Sequence, residues 1–375
     1  MKILHLIDSG GLYGAEVMLL NLAAEQQKMG LSPVIGSIRK KGISEKPIET
    51  ETMRRGLVLK TFNMKPGPNI LGALDILKYA IREKIDILHS HGYKTNIMLG
   101  FLPFWVRRIP IISTLHGWTS TGGWSKMRIN EELDAFSLRF VDQIVLVNKG
   151  MLDKPKIRSL PHNKISVINN GIDFSYYEKP EEDTRRLDKI WEFANTGHII
   201  GSIGRLSTEK GFNYLLEAVL TLRQEYNEDV RLLLIGDGKL RQELEKESIA
   251  MGLEEYVMIT GFIKNAKNLL NLIDIYVISS LTEGLPITLL EAMSSKTPIV
   301  ATSVGGIPHV VVDGVDALLV KPMDSHAIVS AIRRLINESE LRDTLVRNSV
   351  LKVKREYHSL RMAEKYYQLY SKILK

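Results

Sequence analysis

The chain predicts an α/β protein made of two doubly wound domains, each built on a parallel sheet. Three observations carry this. Short apolar runs bounded by turn residues recur through both halves. Helical patterns lie between several of them, as right-handed crossovers require. A turn-forming stretch, Asn169-Asn170-Gly171-Ile172-Asp173, divides the halves, and the charged, Pro-containing Glu178 to Lys189 follows it as a linker. At 375 residues the chain has room for two domains, drawn here at 1–172 and 173–356. Two such domains facing each other put their strand carboxyl ends around one cleft, where ligands bind.

The front half gives strands at Lys2 to Ile7, Pro33 to Ile38, Leu57 to Phe62, Ile85 to His89, Pro110 to Leu115, Gln143 to Val147 and Ile165 to Ile168. Its clearest helix is Ala15 to Met29, with Val17, Leu20 and Ala24 as buried-face candidates. The back half repeats the plan. Strands fit Ile199 to Ile203, Arg231 to Ile235, Val257 to Thr260, Ile273 to Ile278, Pro298 to Ala301 and Ala317 to Val320. Helices fit Phe212 to Tyr226, Leu240 to Met251, Ala266 to Asn271, Pro286 to Ser294 and Ser325 to Asn337. Ser339 to Lys375 reads as one helical pattern, whose Tyr357, Met362, Tyr366, Leu369 and Tyr370 suit packing better than ligand stacking.

Composition narrows the class. A charged fraction of 25% and a hydrophobic fraction of 44% are those of an ordinary soluble globular protein. Zero cysteines exclude a disulfide framework and a thiolate metal site, and fit a reducing, cytoplasmic setting. No run approaches a membrane span, and Met1 to Ile7 reads as a strand, not a leader. The net charge of +7 is uneven: residues 1–176 hold 24 Lys+Arg against 15 Asp+Glu, the remainder 26 against 28. A basic front half suits an anionic partner, and dispersed surface lysines explain it equally well.

The motif that organises the chain is Ser280 to Met293. A proline at a helix start keeps no unsatisfied N–H. Glu283 and Gly284 then fall in a strand-to-helix turn, with Leu285 leading in. The N–H groups of Ile287, Thr288 and Leu289 face the strand's carboxyl end as an anion site. Glu283 and Glu291, separated by seven residues, flank that site and can accept from sugar and ribose hydroxyls, unless Glu283 merely suits the helix dipole and Glu291 is a solvated helix residue. Upstream, Gly204-Arg205 and Lys210-Gly211 set two cations at another strand end. An arginine holds a diphosphate bidentately and a lysine as a point charge. Ser9-Gly10-Gly11 opens the first helix and lets backbone approach a ligand, unless it is only a tight turn. His116 ends a strand in the same way. His89 and His91 share a strand face with no third metal ligand evident, and no Asp-x-Asp pair occurs, so no metal site is expected.

Together these residues resemble the retaining glycosyltransferases of family four, the group 1 transferases, which have the two-Rossmann GT-B fold. The likeness rests on Gly10-Gly11, Asp86-Ile-Leu-His-Ser-His91, Thr114-Leu-His116-Gly117, Asn170-Gly-Ile-Asp173, Gly204-Arg205 with Lys210-Gly211, Gly236-Asp237-Gly238, and the Glu283/Glu291 pair. The resemblance implies a metal-independent hexosyltransferase that uses no cofactor and moves a sugar from a UDP- or GDP-sugar to a glycan or lipid-linked acceptor. Surface polysaccharide or glycolipid assembly is the implied setting. Arg205 and Lys210 would hold the donor diphosphate, Glu283 the sugar, Glu291 the ribose and His116 the transferring sugar. Gly11 would approach the donor phosphate or the acceptor. Gly236, Asp237 and Phe262 would lie near the base, and the last helix, about 357–375, would pack back on the first domain. Val17 and Asn148 depart from the family's usual Arg and Ser, both on the acceptor side.

Phe101-Leu-Pro-Phe104-Trp105-Val-Arg107-Arg108, followed by Trp118, Trp124, Lys126 and Arg128, mixes aromatics with cations. Such a stretch suits an anionic membrane surface on the inner face, or else ends a core helix. Rival readings are a nucleotide-sugar epimerase, a phosphorylase, and a nucleic-acid-binding protein. The dispersal of the basic residues argues against nucleic acid.

Overall fold

The structure is a computed structural model. It describes residues 1–8, 11–40, 42, 45–65, 69–116, 126–174 and 184–375, with backbone alone at 126–128 and 184. The chain divides into two units, Met1–Asp173 with Tyr357–Lys375, and Phe174–Glu356.

The first unit carries seven strands: β1 (Lys2–Ile7), β2 (Ser32–Arg39), β3 (Val58–Asn63), β4 (Ile87–Ser90), β5 (Ile111–Leu115), β6 (Gln143–Leu146) and β7 (Ile165–Val167). They form one sheet in the order β3-β2-β1-β4-β5-β6-β7, parallel throughout. Its helices are α1 (Gly14–Lys28), α2 (Pro47–Arg54), α3 (Ile70–Arg82), α4 (Tyr93–Gly100), α5 (Phe104–Arg107), α6 (Lys126–Ser137) and α7 (Pro155–Arg158). The central strands β1, β4, β5 and β6 are mostly apolar and buried because helices cover both faces, whereas the edge strands β3 and β7 stay partly exposed.

The second unit has six strands: β8 (His198–Ile203), β9 (Val230–Ile235), β10 (Val257–Gly261), β11 (Ile275–Ile278), β12 (Ile299–Thr302) and β13 (Leu318–Val320). Their order is β10-β9-β8-β11-β12-β13, again all parallel. Helices α8 (Thr184–Phe193), α9 (Phe212–Gln224), α10 (Arg241–Ala250), α11 (Ile287–Ser294), α12 (Ser325–Asn337) and α13 (Ser339–Glu356) belong to it, and α14 (Ser359–Ile373) returns to the first unit. In both sheets the strand order reverses once, between β1 and β4 and between β8 and β11. Crevices at such reversals are where doubly wound sheets bind ligands.

Some local expectations change. The linker segment Glu178–Lys189 runs into helix α8, and residues 175–183 lie outside the described residues. Ala266–Leu272 is a 3-10 helix. Pro286 precedes the helix as its cap, so α11 starts at Ile287 and Glu291 is its fifth residue. Ser339 to Lys375 breaks into α13 and α14 at Tyr357–His358. There Ile172 N–H donates to Tyr357 O at 2.9 Å and Ser359 N–H to Ile172 O at 2.9 Å. A Cβ on Gly171 would stand 2.9 Å from His358 O, so only glycine lets these two segments run side by side.

Helix α14 packs on α1. Tyr357, Met362, Ala363, Tyr366 and Tyr370 are buried, and Leu369 is half-buried. Helix α1 is thus covered by the sheet on one side and α14 on another. Met18, Leu19, Leu20, Leu22 and Ala23 are buried, whereas Val17 and Ala24 keep partial exposure.

Candidate active site

In the second unit the loops after β8 and β11 flank the reversal of strand order. Lys210 closes a single 3-10 turn after β8, and Gly211 follows at φ +62. A Cβ there would meet Ser279 O at 2.4 Å, so glycine is required for the two loops to touch. Ser279 Oγ donates to Lys210 O at 2.9 Å, and Leu281 N–H donates to Glu209 O at 2.8 Å. This backbone lacing sets the side chains. Lys210 Nζ donates to Glu283 Oε1 at 2.5 Å, and Ser280 Oγ donates to the same oxygen at 2.7 Å. Arg205, half-exposed at 49%, pairs with Glu209 at 2.8 Å. Burial pushes the Glu209 carboxyl up, but hydrogen bonds from Ser207 and Arg205 outweigh it and hold it below its ordinary range.

Lys210, Glu283, Ser280 and Thr288 line one small pocket with Phe212 and Tyr276. Arg205 and Lys210 therefore each pair with an acid, Glu209 and Glu283. Burial raises the Tyr276 phenol, whose hydroxyl reaches Thr288 and donates to Ile203 O at 3.4 Å. Strand pairing brings Lys210 and Phe212, after β8, to Tyr276, Ser280 and Thr288; sequence reading singled out Lys210 and Thr288 but not Phe212 or Tyr276.

The glycines fit backbone to backbone. A Cβ on Gly236, at φ +152, would stand 1.8 Å from Gly204 O. Gly305, at φ +55, would meet Glu283 O at 1.8 Å. Gly306 N–H donates to Gly284 O at 2.7 Å, which pins the turn carrying Glu283. Asp237 Oδ1 accepts from Gly238 N–H at 2.7 Å and its O from Leu206 N–H at 3.0 Å. Phe262 is exposed, and Arg186 donates to its carbonyl at 3.0 Å.

The anion site at α11 is narrower than the spacing implies. Leu289 N–H donates to Pro286 O at 3.2 Å, and the side chains of Leu285, Ile287 and Leu289 are buried in the core. These residues can meet a donor only through backbone. Glu291 is half-buried, and desolvation of its carboxyl raises its pKa.

The first unit places His116 at the end of β5, on a hydrogen-bonded run of rings. His116 Nε2 lies 3.4 Å from His91 Nδ1, His91 Nε2 lies 3.0 Å from His5 Nδ1, and His5 Nε2 meets Gln26 Oε1 at 2.8 Å. An amide oxygen only accepts, so His5 donates from Nε2 and accepts at Nδ1. The same sense carries along the run, and His116 is left with Nδ1 as its acceptor. A branch runs from Gln26 Nε2 to the Tyr370 hydroxyl (3.2 Å), on to His89 Nδ1 (2.7 Å), from His89 Nε2 to Thr114 Oγ1 (2.8 Å), and from Thr114 Oγ1 to the Tyr366 hydroxyl (2.9 Å). Burial holds His5 and His116 at about 4 and lowers His89 and His91 well below their ordinary value. His5 is the third histidine beside His89 and His91 that the sequence did not reveal, since β1 and β4 pair His5 with His89. The ring nitrogens of these three are already hydrogen-bonded, which describes a neutral cluster. A Cβ on Gly11 would meet the Tyr13 ring at 2.5 Å, so that glycine makes room for Tyr13. Gly10 lies outside the described residues, as do Trp118 and Trp124. Asn148 is buried and caps the next turn through Met151 N–H at 3.1 Å.

Comparison with known proteins gives this geometry a family. The profile described as "Glycosyl transferases group 1" matches residues 183–351, and "Glycosyltransferase Family 4" matches residues 13–176. The chain belongs to the group 1 glycosyltransferases. It is 25% identical over 305 residues to the Escherichia coli UDP-Gal:alpha-D-GlcNAc-diphosphoundecaprenol alpha-1,3-galactosyltransferase, covering 79% of this chain and 78% of the relative. It is 26% identical over 311 residues to the Bacillus anthracis N-acetyl-alpha-D-glucosaminyl L-malate synthase, covering 81% and 79%. The solved structure of Anabaena HepE with UDP-glucose aligns at a TM-score of 0.83 and 22% identity, covering 99% of this chain and 100% of that one. Two parallel sheets with such neighbours make this the two-domain GT-B fold of a glycosyltransferase. Among the described residues, no helix of this enzyme is long and apolar enough to cross a membrane.

Proposed function

We propose that this glycosyltransferase moves a hexose from a nucleoside diphosphate to a glycan or lipid-linked acceptor, with retention and without a metal, in surface polysaccharide or glycolipid assembly. The carrying observation is the Lys210–Glu283 pair, held at 2.5 Å in the crevice where the sheet order reverses. A cation and a sugar-hydroxyl acceptor side by side suit the junction of a diphosphate and its sugar. Uridine is the base to test first, because the E. coli relative and the HepE complexes are named for UDP ligands.

In the proposed reaction the bond from the anomeric carbon to the phosphate oxygen breaks through an oxocarbenium-like state. Negative charge grows on the leaving diphosphate. Arg205 and Lys210 are fixed cations for that charge, and preorganised charge of this kind lowers a barrier without reorganisation. The acceptor oxygen bonds to the same carbon from the same face, and its proton passes to the leaving phosphate. Glu283 orients the sugar, Glu291 receives ribose hydroxyls, and His116 offers Nδ1 as an acceptor near the transferred sugar. A chain without cysteine suits a reducing compartment such as the cytoplasm.

A thermal-shift panel of nucleoside diphosphates and their sugars tests the donor side, since a ligand that binds only the folded chain raises the melting point. Stabilisation by UDP or GDP and their sugars is expected. An unchanged melting point with all of them overturns the reading. NMR of the product's anomeric proton then reports retention or inversion.

A further inference from the structure

The first unit presents an aromatic face that the proposed chemistry does not use. Phe101, just past α4, Phe104 and Trp105, on α5, Phe136, near the end of α6, and Phe140, in the 3-10 turn that follows it, are all exposed, Trp105 at 76%. Phe101 lies 5.9 Å from both Phe136 and Phe140, whose rings are 5.5 Å apart, so three of them form one cluster. The core-helix alternative for Phe101 to Trp105 therefore fails: the segment turns outward. An exposed stripe continues along α6 through Ile129 and Leu133, at helical spacing from Phe136 and Phe140.

Cations rim the cluster. Arg108 and Arg139 are exposed, and the Arg139 guanidinium sits 5.6 Å from the Phe136 ring centre. Lys164 reaches the same edge through Arg139 O and Val141 O at 3.1 and 3.0 Å. Two nearby acids are paired: Asp142 with buried Arg107 at 2.5 Å, and Glu132, exposed on α6, with Lys156 at 2.9 Å. The charge contrast between the units sharpens once the last helix is assigned to the first. That unit holds 28 Lys+Arg against 16 Asp+Glu, a net +12, and the second unit is −5.

We propose that this face, built from the ends of α4 and α6 with α5 between them, docks the enzyme on an anionic bilayer. Aromatic side chains settle at the headgroup level, and a cationic rim adds attraction to anionic lipid. A second copy is the poorer occupant. A two-fold contact through this face would bring the Arg108 and Arg139 of both copies into one interface, between units of +12 each. Docking suits a lipid-linked acceptor but does not depend on one, and its assay needs no sugar donor.

The test is co-sedimentation of the full chain with vesicles of phosphatidylglycerol and phosphatidylethanolamine, against pure phosphatidylcholine, at low and high salt. Binding to the anionic vesicles alone, weakened by salt, is expected. The double substitution Phe104→Ala with Trp105→Ala should cut the bound fraction by about tenfold, leaving the melting point and UDP-sugar stabilisation unchanged. Arg108→Gln with Arg139→Gln should weaken binding and flatten its salt dependence. Wild-type chain left in the supernatant at low salt overturns the proposal, as does a double aromatic variant that binds like wild type. Light scattering that shows a dimer dissolved by the aromatic substitutions assigns the face to a second copy and equally overturns it.

Discussion

Acidification should destabilise the first unit through its histidine run. His5 has no exposed surface, and burial holds its pKa at about 4 against an ordinary 6.5. As pH falls, the unfolded chain takes up this proton through 6.5, whereas the folded one takes it only near 4. The unfolded state binds more protons in that window, so stability is full above 6.5, declines below it and levels off under 4. At pH 5 the loss from His5 alone is about 2 kcal/mol. Burial moves His89, His91 and His116 the same way, which steepens the decline. The assay is urea unfolding at pH 7.5 and pH 5.0, followed by tryptophan fluorescence. Three of the four tryptophans, Trp105, Trp118 and Trp124, lie within residues 1–173 and weight the signal to this unit. Wild type should lose about 2 kcal/mol more than His5→Gln between the two pH values, while carboxylate effects common to both cancel. Equal losses, or an NMR titration in which the His5 ring protonates near 6.5, would refute the reasoning.

Other outcomes test the donor site and the network. Lys210→Ala and Glu283→Gln should each lower kcat about a hundredfold if both act on the transferring group, and near-normal initial rates for the pair would remove them from the site. Gly305→Ala drives a methyl into the Glu283 carbonyl and should raise KM for the donor sharply, as steady-state kinetics would show; an unchanged KM argues that the turn is not part of the site. Tyr370→Phe leaves His89 Nδ1 and the Gln26 amide each one partner short, which should cost about 1–3 kcal/mol in urea unfolding. Chelator should leave the rate intact. Loss on chelation with recovery on adding Mg²⁺ would contradict metal-free transfer.

All thirteen strands were legible, most of them because parallel strands buried on both faces read as apolar runs, with ends misplaced by at most two residues. The turn carrying Glu283 and the loop carrying Lys210 were legible for a similar reason, since each follows such a run. What lay out of reach was whatever strand pairing assembles across long separations. Lys210 and Glu283 stand 73 residues apart, and His5 and His91 stand 86 apart. Nothing in either local stretch says that one neutralises or hydrogen-bonds the other. The break at Tyr357–His358 was also hidden, because no glycine or proline marks it. It is imposed by Ile172, whose backbone pairs with the returning chain. On α1, Leu20 is buried as expected while Val17 and Ala24 are only partly so, and with α14 on its back the helix buries more than one stripe.

The return of α14 has a consequence for biogenesis. The opening unit borrows its final helix from the far end of the chain, and that helix supplies Tyr366 and Tyr370 to the cluster around His89. During translation, residues 174–356 emerge with every strand of their own sheet in hand and can close while still tethered to the ribosome. The opening unit must wait, its polar rings unsealed, until the missing helix has emerged and can swing in. Fragments that stop at Asp173 should therefore be poor stand-ins for the domain they seem to contain.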